Sequence, residues 1–321
     1  MLKLHSNPTA QSLTRLRTPA HPLDVAIRSL ARRAQSLSLS HVQVDLGETF
    51  GNRFLLVWHN RPRGFNATRY RAFWQDVAEV VCNHGPRVDD TLHVFPQRSV
   101  SQGSSASAEF WVVGGDGRLA THCANGLMYA GQRWHTLWGA RRIAFRCGQQ
   151  TRWVQAIGES ARVNLGQPRA LANRQLAVAN LAASPLLVNT GEPHSVSFTE
   201  DLAVPHGASQ KAFLDIGRAV CKAWSPEGIN WNLVTVGDTG LQIRTFERGV
   251  RRATSSCGTG SAASFYAAHT LGRWSNDEAP VSSAGGSHLV SIYRDELFVA
   301  ARPTHHRTLT LIDYLTHFAA S

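Results

Sequence analysis

LQIRTFERGVRRATSSCGTGSAAS, residues 241–264, reads as an alternating strand, a basic turn, a cysteine set among glycines, and then a run of small helix formers. This order places Cys257 at or just before a helix N-terminus. There the unpaired backbone N–H groups and the helix dipole favour a thiolate, which predicts a lowered thiol pKa. Gly258 and Gly260 let a ligand come close to the backbone, so the same N–H groups can hold a carboxylate. An earlier stretch repeats the pattern. AEFWVVGGDGRLATHCANGLMYAG, residues 108–131, runs strand, turn, Cys123, then Ala124, Asn125, Gly126 and small residues. Two matched cysteine-led helix starts, about one domain's length apart, predict a duplicated architecture in which two similar domains each present one cysteine to a shared cleft.

Outward from these two stretches the chain alternates strand-like and helix-like segments. HVQVDL, RFLLVWH, TLHVFP, RRIAFRC, ARVNL, PLLVNTG, SVSF, NLVTVGD, HLVSIYR and ELFVAA read as strands. TRYRAFWQDVAEVVCN, SQKAFLDIGRAVCKAW and SAASFYAAHTLGRW read as helices. The fold class expected is α+β or mixed α/β, with two pseudo-symmetric domains and the active site between them. The expected division is a basic extension over 1–42, a first domain over 43–157 carrying Cys123, a second over 158–308 carrying Cys257, and a segment over 309–321 able to return to the first domain. In the first 40 residues Asp24 is the only acid, against Lys3, Arg15, Arg17, Arg28, Arg32 and Arg33. Leu23, Ile27, Leu30, Ala34 and Leu37 follow helical spacing. The extension is compatible with a surface helix or with a transit peptide.

Composition excludes several classes. Apolar residues make up 43% and charged residues 17%, which is globular rather than disordered. No apolar run is long enough to cross a membrane. The five cysteines are widely spaced with no CxxC pair, so a disulfide framework or a structural zinc site is not expected, and free thiols in the cytoplasm fit. The formal charge of +11 comes almost entirely from scattered arginines, so no nucleic-acid partner is expected. The only lysines are Lys3, Lys211 and Lys222, none in a motif suited to a pyridoxal Schiff base. The expected partner is a small-molecule amino acid, with no cofactor, no metal and no membrane, and a homodimer is the candidate assembly.

Paired thiols suit the inversion of a chiral carbon. One face needs a base and the other an acid, with roles exchanged for the other enantiomer. The feebly acidic α-hydrogen requires a dry site and fixed N–H donors to brace the carbanion. Cysteine hydrolysis, with His194 as base, is the competing chemistry. A non-catalytic amino-acid binder on the same fold is a third reading.

These motifs resemble the diaminopimelate epimerase family. GNRF at 51–54, HCANG at 122–126, NTGEPH at 189–194 and ERGVRRATSSCGTGSAA from Glu247 are similar, in order, to its motifs. The resemblance implies a pyridoxal-independent enzyme with Cys123 and Cys257 as the acid/base pair, and His194 and Glu247 beside them. Ala124, Asn125, Gly126, Gly258 and Thr259 would hold the reacting end of the amino acid, and Asn52 would contact substrate. Asn230, Glu247 and Arg248 would face the far end. The chain departs from the family at Arg53, Gly114, Met128, Tyr129, Asp90 and Glu192. The added carboxylates Asp90 and Glu192 point to a basic or imidazole side chain such as histidine, since relatives include histidine racemases. Diaminopimelate epimerisation in lysine biosynthesis is the alternative.

Overall fold

The computed structural model describes residues 21–60, 67–84, 88–97, 106–120, 122–171, 176, 178, 185–200, 208–249 and 252–320. The first 20 residues of the basic extension, Lys3 among them, lie outside the described residues. The chain runs α1 (Pro22–Ser36), β1 (Gln43–Thr49), β2 (Asn52–Trp58), α2 (Ala67–Asn83), β3 (Asp90–Pro96), β4 (Ala106–Gly114), β5 (Leu119–Ala120), α3 (Ala124–Trp138), β6 (Arg142–Cys147), β7 (Gln150–Ile157) and β8 (Ser160–Gly166). It continues through β9 (Arg169–Ala170), β10 (Leu186–Asn189), β11 (Pro193–Phe198), α4 (Ala208–Ala223), β12 (Asn230–Gly237), β13 (Gly240–Glu247), β14 (Arg252–Thr254) and α5 (Gly258–Thr270). It ends with β15 (Glu278–Ser283), β16 (Gly286–Tyr293), β17 (Glu296–Ala301), β18 (Thr304–Thr310) and α6 (Leu311–Ala320).

The internal echo in the sequence appears in the strand pairing. In the first half β1 pairs antiparallel with β2, β2 parallel with β3, β3 antiparallel with β4, β4 parallel with β6, and β6, β7 and β8 antiparallel in turn. In the second half β10 to β13 and β15 to β17 repeat that order and sense strand for strand. The two ribbons join where β8 pairs antiparallel with β17. By this symmetry β8 matches β17 and closes the first half.

Each ribbon curls around one helix. Helix α3 is buried from Ala124 to Gly131, and α5 is buried over almost its whole length. A helix apolar on every side belongs in a core, and the core residues Leu127, Met128, Ala130, Ala262, Ala263 and Phe265 form one apolar cluster spanning both halves. Asp45 anchors α3 from β1. Its carboxylate takes Arg133 Nε at 3.2 Å and Trp58 Nε1 at 2.7 Å, and accepts from Thr308 Oγ1. A second cluster lies outside the first ribbon, between α1, α2 and α6. The segment expected to be an extension therefore belongs to the fold from Pro22 onward. Ile27, Leu30 and Ala34 are buried there beside Tyr314, Leu315 and Phe318. Strand β18 pairs with β1, which carries the chain's end back to the first half. No helix among the described residues is long and apolar enough to cross a membrane.

Because Leu30 is 3% exposed within this cluster, Leu30→Ala is expected to cost about 2–5 kcal/mol in a denaturant titration. A change within about 0.5 kcal/mol, as for a surface site, would show that α1 is not part of the core.

Candidate active site

Cys123 and Cys257 are the N-caps of α3 and α5. Each sulfur accepts from a backbone N–H of its own first turn, Gly126 N to Cys123 Sγ and Gly260 N to Cys257 Sγ, both at 3.4 Å. Both cysteines line one cleft of about 820 Å³ between the halves. The two helix starts come close because Gly258 has no side chain. A Cβ there would stand 2.8 Å from Ala124 Cβ and 3.0 Å from Asn125 Oδ1. Gly260 is likewise pressed against Asn232 and Thr245.

Hydrogen bonds tie the halves together across this contact. Asn125 Nδ2 donates to Ser256 Oγ at 2.8 Å, and Asn125 Oδ1 lies 2.9 Å from His288 Nε2. His288 Nδ1 meets Ser261 Oγ at 2.9 Å, Ser256 Oγ donates to Thr49 O, and Thr49 Oγ1 donates to Asn125 O. The Asn125 side chain, expected to hold substrate, is committed to this latch. His288, Ser256 and Thr49 were missed in the sequence because no local pattern marks residues that meet only after the halves dock.

The surroundings of the two thiols differ. On the Cys257 side Thr259 Oγ1 lies 3.4 Å from Sγ and 3.0 Å from His194 Nε2. His194 Nδ1 lies 3.0 Å from Asn232 Nδ2, and Asn232 Oδ1 accepts from Thr245 at 2.9 Å. His194 thus reaches the thiol through Thr259 rather than directly. Asn232 and Thr245 complete a chain that the sequence did not signal. Glu247, near enough to act on the Cys257 thiol, accepts from Thr254 Oγ1 at 2.6 Å through its Oε1. On the Cys123 side the sulfur faces Asn52 Oδ1 at 3.8 Å, and Asn52 Nδ2 donates to Asp89 Oδ2 at 3.3 Å. Arg252 pairs with Asp89 Oδ1 at 2.8 Å.

The expectation of lowered thiol pKa values does not hold. Burial raises both thiols well above their ordinary value, with Asp90 adding to Cys123 and Glu247 to Cys257. The Gly126 and Gly260 N–H groups offset only part of this. Burial also pushes Asp90 up to about 8, assisted by Glu247, Asp89 and Asp116. Burial holds His194 down at about 3 and His288 at about 4, so both are neutral.

Glu192, expected at the substrate, forms an ion pair with Arg248. Arg248 also donates from Nη1 to Glu227 O and Gly228 O, and its backbone N–H is held by Asn230 Oδ1 at 2.9 Å. His122 is a further cleft residue that the sequence reading passed over. It is 3% exposed, neither ring nitrogen has a hydrogen-bond partner among the described residues, and its ring packs where a Cβ at Gly191 would stand. Gly191 has φ +107, a conformation that also demands glycine.

Comparison with known proteins agrees with this architecture. The family model for diaminopimelate epimerase matches residues 186–302. The diaminopimelate epimerase of Methanothrix thermoacetophila is 33% identical over 204 residues, covering 57% of this chain and 68% of the relative. That of Methanocella arvoryzae is 33% identical over 194 residues, covering 56% and 68%. Among solved structures, a hydroxyproline epimerase from Agrobacterium vitis superposes with a TM-score of 0.63 at 12% identity, covering 87% of this chain and 95% of that one. A methylitaconate-delta-isomerase superposes at 0.54 with 9% identity, covering 84% and 94%. Fold and relatives together define an isomerase of the epimerase and racemase type. Within that class, the chain belongs to the diaminopimelate epimerase family.

The buried histidines set an acid limit on stability. His93, His122 and His194 sit near 3 and His288 near 4 in the folded protein, against about 6.5 unfolded. The unfolded chain therefore binds more protons below pH 6.5, and stability is lost as pH falls from about 6.5 towards 4. Asp90 and Glu247, raised by folding, oppose this but are outnumbered. Urea midpoints are expected to rise from pH 4.5 to pH 6.5. A flat or falling profile would show that these imidazoles are not held neutral.

Proposed function

We propose that this chain is a cofactor-independent racemase or epimerase that inverts an amino-acid α-carbon through Cys123 and Cys257. The observation that carries this reading is the pair of thiols, each capping a helix, at one interdomain cleft. The substrate carboxylate would sit between the two helix starts, taking N–H groups from the turns after Cys123 and Cys257. These donors also brace the negative charge that builds as the α-hydrogen leaves.

The protonation pattern supports two-base chemistry. Glu247 stands near enough to Cys257 to act on its ionisation, and with substrate bound, transfer of the thiol proton to that carboxylate would leave a thiolate. The thiolate removes the α-hydrogen while Cys123, kept protonated by burial and nearby carboxylates, delivers a proton to the opposite face. The reverse run exchanges the roles. The substrate ammonium brings a positive charge close to the two thiols, and closure of the halves dries the site. His194, acting through Thr259, and Asn52, beside Cys123, are positioning residues in this scheme.

For the substrate, the carboxylates at the cleft favour a basic or imidazole amino acid, histidine being one. Diaminopimelate is a second reading, favoured by the names of the relatives. The activity is tested by following optical rotation with single amino acids. Cys123→Ser and Cys257→Ser are each expected to lower turnover by about 100- to 10,000-fold while the far-UV spectrum is kept. Undiminished turnover in either variant would overturn the assignment.

A further inference from the structure

The two walls of the cleft are unequally charged, and this bears on the far end of the substrate. Among the described residues lining the cleft, the arginines and lysines are Arg118, Arg218, Lys222 and Arg248. Lys222 is exposed. Arg118 and Arg218 stand at the mouth, with side chains 87% and 57% exposed, and each is paired with a neighbouring aspartate. Arg248 is the inner cation, and its guanidinium is occupied by the Glu192 carboxylate and by the carbonyls of Glu227 and Gly228. A ligand carboxylate arriving there would have to compete with Glu192 for the Arg248 guanidinium.

Asp90 faces the same cleft from the opposite half. It opens β3, in register with Gly114 on β4. Its carboxylate has no hydrogen bond or ion pair among the described residues. Gly114 leaves it uncovered, since a Cβ at 114 would stand 3.6 Å from Asp90 Oδ1 and 3.4 Å from Asp116 Oδ1. In the second half the matching position is Asn230, whose amide oxygen is already taken by the Arg248 backbone.

Building on the two-thiol reading, the geometry points to Asp90 as the residue that selects the substrate, an α-amino acid with a cationic or N–H-donating side chain and no distal carboxylate. The groups facing Asp90 fix its behaviour. Glu247 from β13, Asp89 beside it and Asp116 from the β4 turn repel a second negative charge, and Arg252 on β14 only partly answers them. Burial and these carboxylates raise the Asp90 carboxyl to about 8, so it is mostly protonated at pH 7. A cation bound beside it favours the ionised form, so each binding event releases a proton from Asp90. A neutral side chain gives no such release. Glu192 contributes indirectly, by holding Arg248 away from any distal carboxylate.

Isothermal titration calorimetry on the full chain tests this, with histidine, ornithine and arginine set against the neutral analogues norleucine and citrulline, and with diaminopimelate. The best cationic ligand is expected to bind at least about ten-fold tighter than its neutral counterpart. Titrations at pH 7 in buffers of different ionisation enthalpy should show proton release for that ligand. In Asp90→Asn both the ratio and the proton release should collapse. In Glu192→Asn, with Arg248 freed, binding of diaminopimelate should strengthen. A ratio or a proton release that survives Asp90→Asn would overturn the proposal, as would wild-type preference for diaminopimelate over every basic amino acid. The ratio is read as Kd, so it stands or falls whether or not the bound amino acid is inverted. Inversion alone tests the two thiols.

Discussion

Helices α3 and α5 meet end to end at Gly258, where even a methyl group would collide with Ala124 and Asn125. The rest of the site follows from that contact. It brings two helix N-termini, with their unpaired N–H groups, to one cleft, and it puts a cysteine at the cap of each. The Asn125, Ser256 and His288 latch holds the approach from the side, and the Asp45–Arg133 pair fixes α3 within its own ribbon. Neither half supplies both cysteines, so the proposed two-base chemistry requires the duplication.

Both thiols are held against ionisation. Burial and the carboxylates Asp90 and Glu247 keep the thiols protonated, and the helix N–H groups do not outweigh them. The surroundings of the two thiols differ. The chain from Cys257 through Thr259, His194 and Asn232 to Thr245 orders one thiol, while Asn52 and Asp89 support the other.

Much of this was legible in the chain. Strand alternation and the two cysteine-led helix starts carry a local pattern, so the mixed fold, the duplication and the places of Cys123 and Cys257 could be read directly. Three features could not. Helix α1 looked like an extension because its apolar face is covered by α6, nearly 300 residues on, and sequence spacing does not record such partners. The thiol pKa depends on burial and on carboxylates from other strands, which outweigh the local helix dipole that the sequence does show. Asn125 and Glu192 were read as substrate contacts from their motif positions, yet their side chains are engaged by His288, Ser256 and Arg248. Motif position fixes the backbone, while the partners of a side chain depend on what folds against it.

The central claim is that two different sulfurs serve opposite faces of one carbon, and isotope partition tests it most directly. One enantiomer of a turned-over amino acid is mixed with the enzyme in deuterium oxide, and both enantiomers are examined early by mass spectrometry. With two separate bases, the product enantiomer carries deuterium from the first turnovers while the remaining substrate stays protiated. Product that retains the original α-hydrogen, passed across by a single group, would contradict the account.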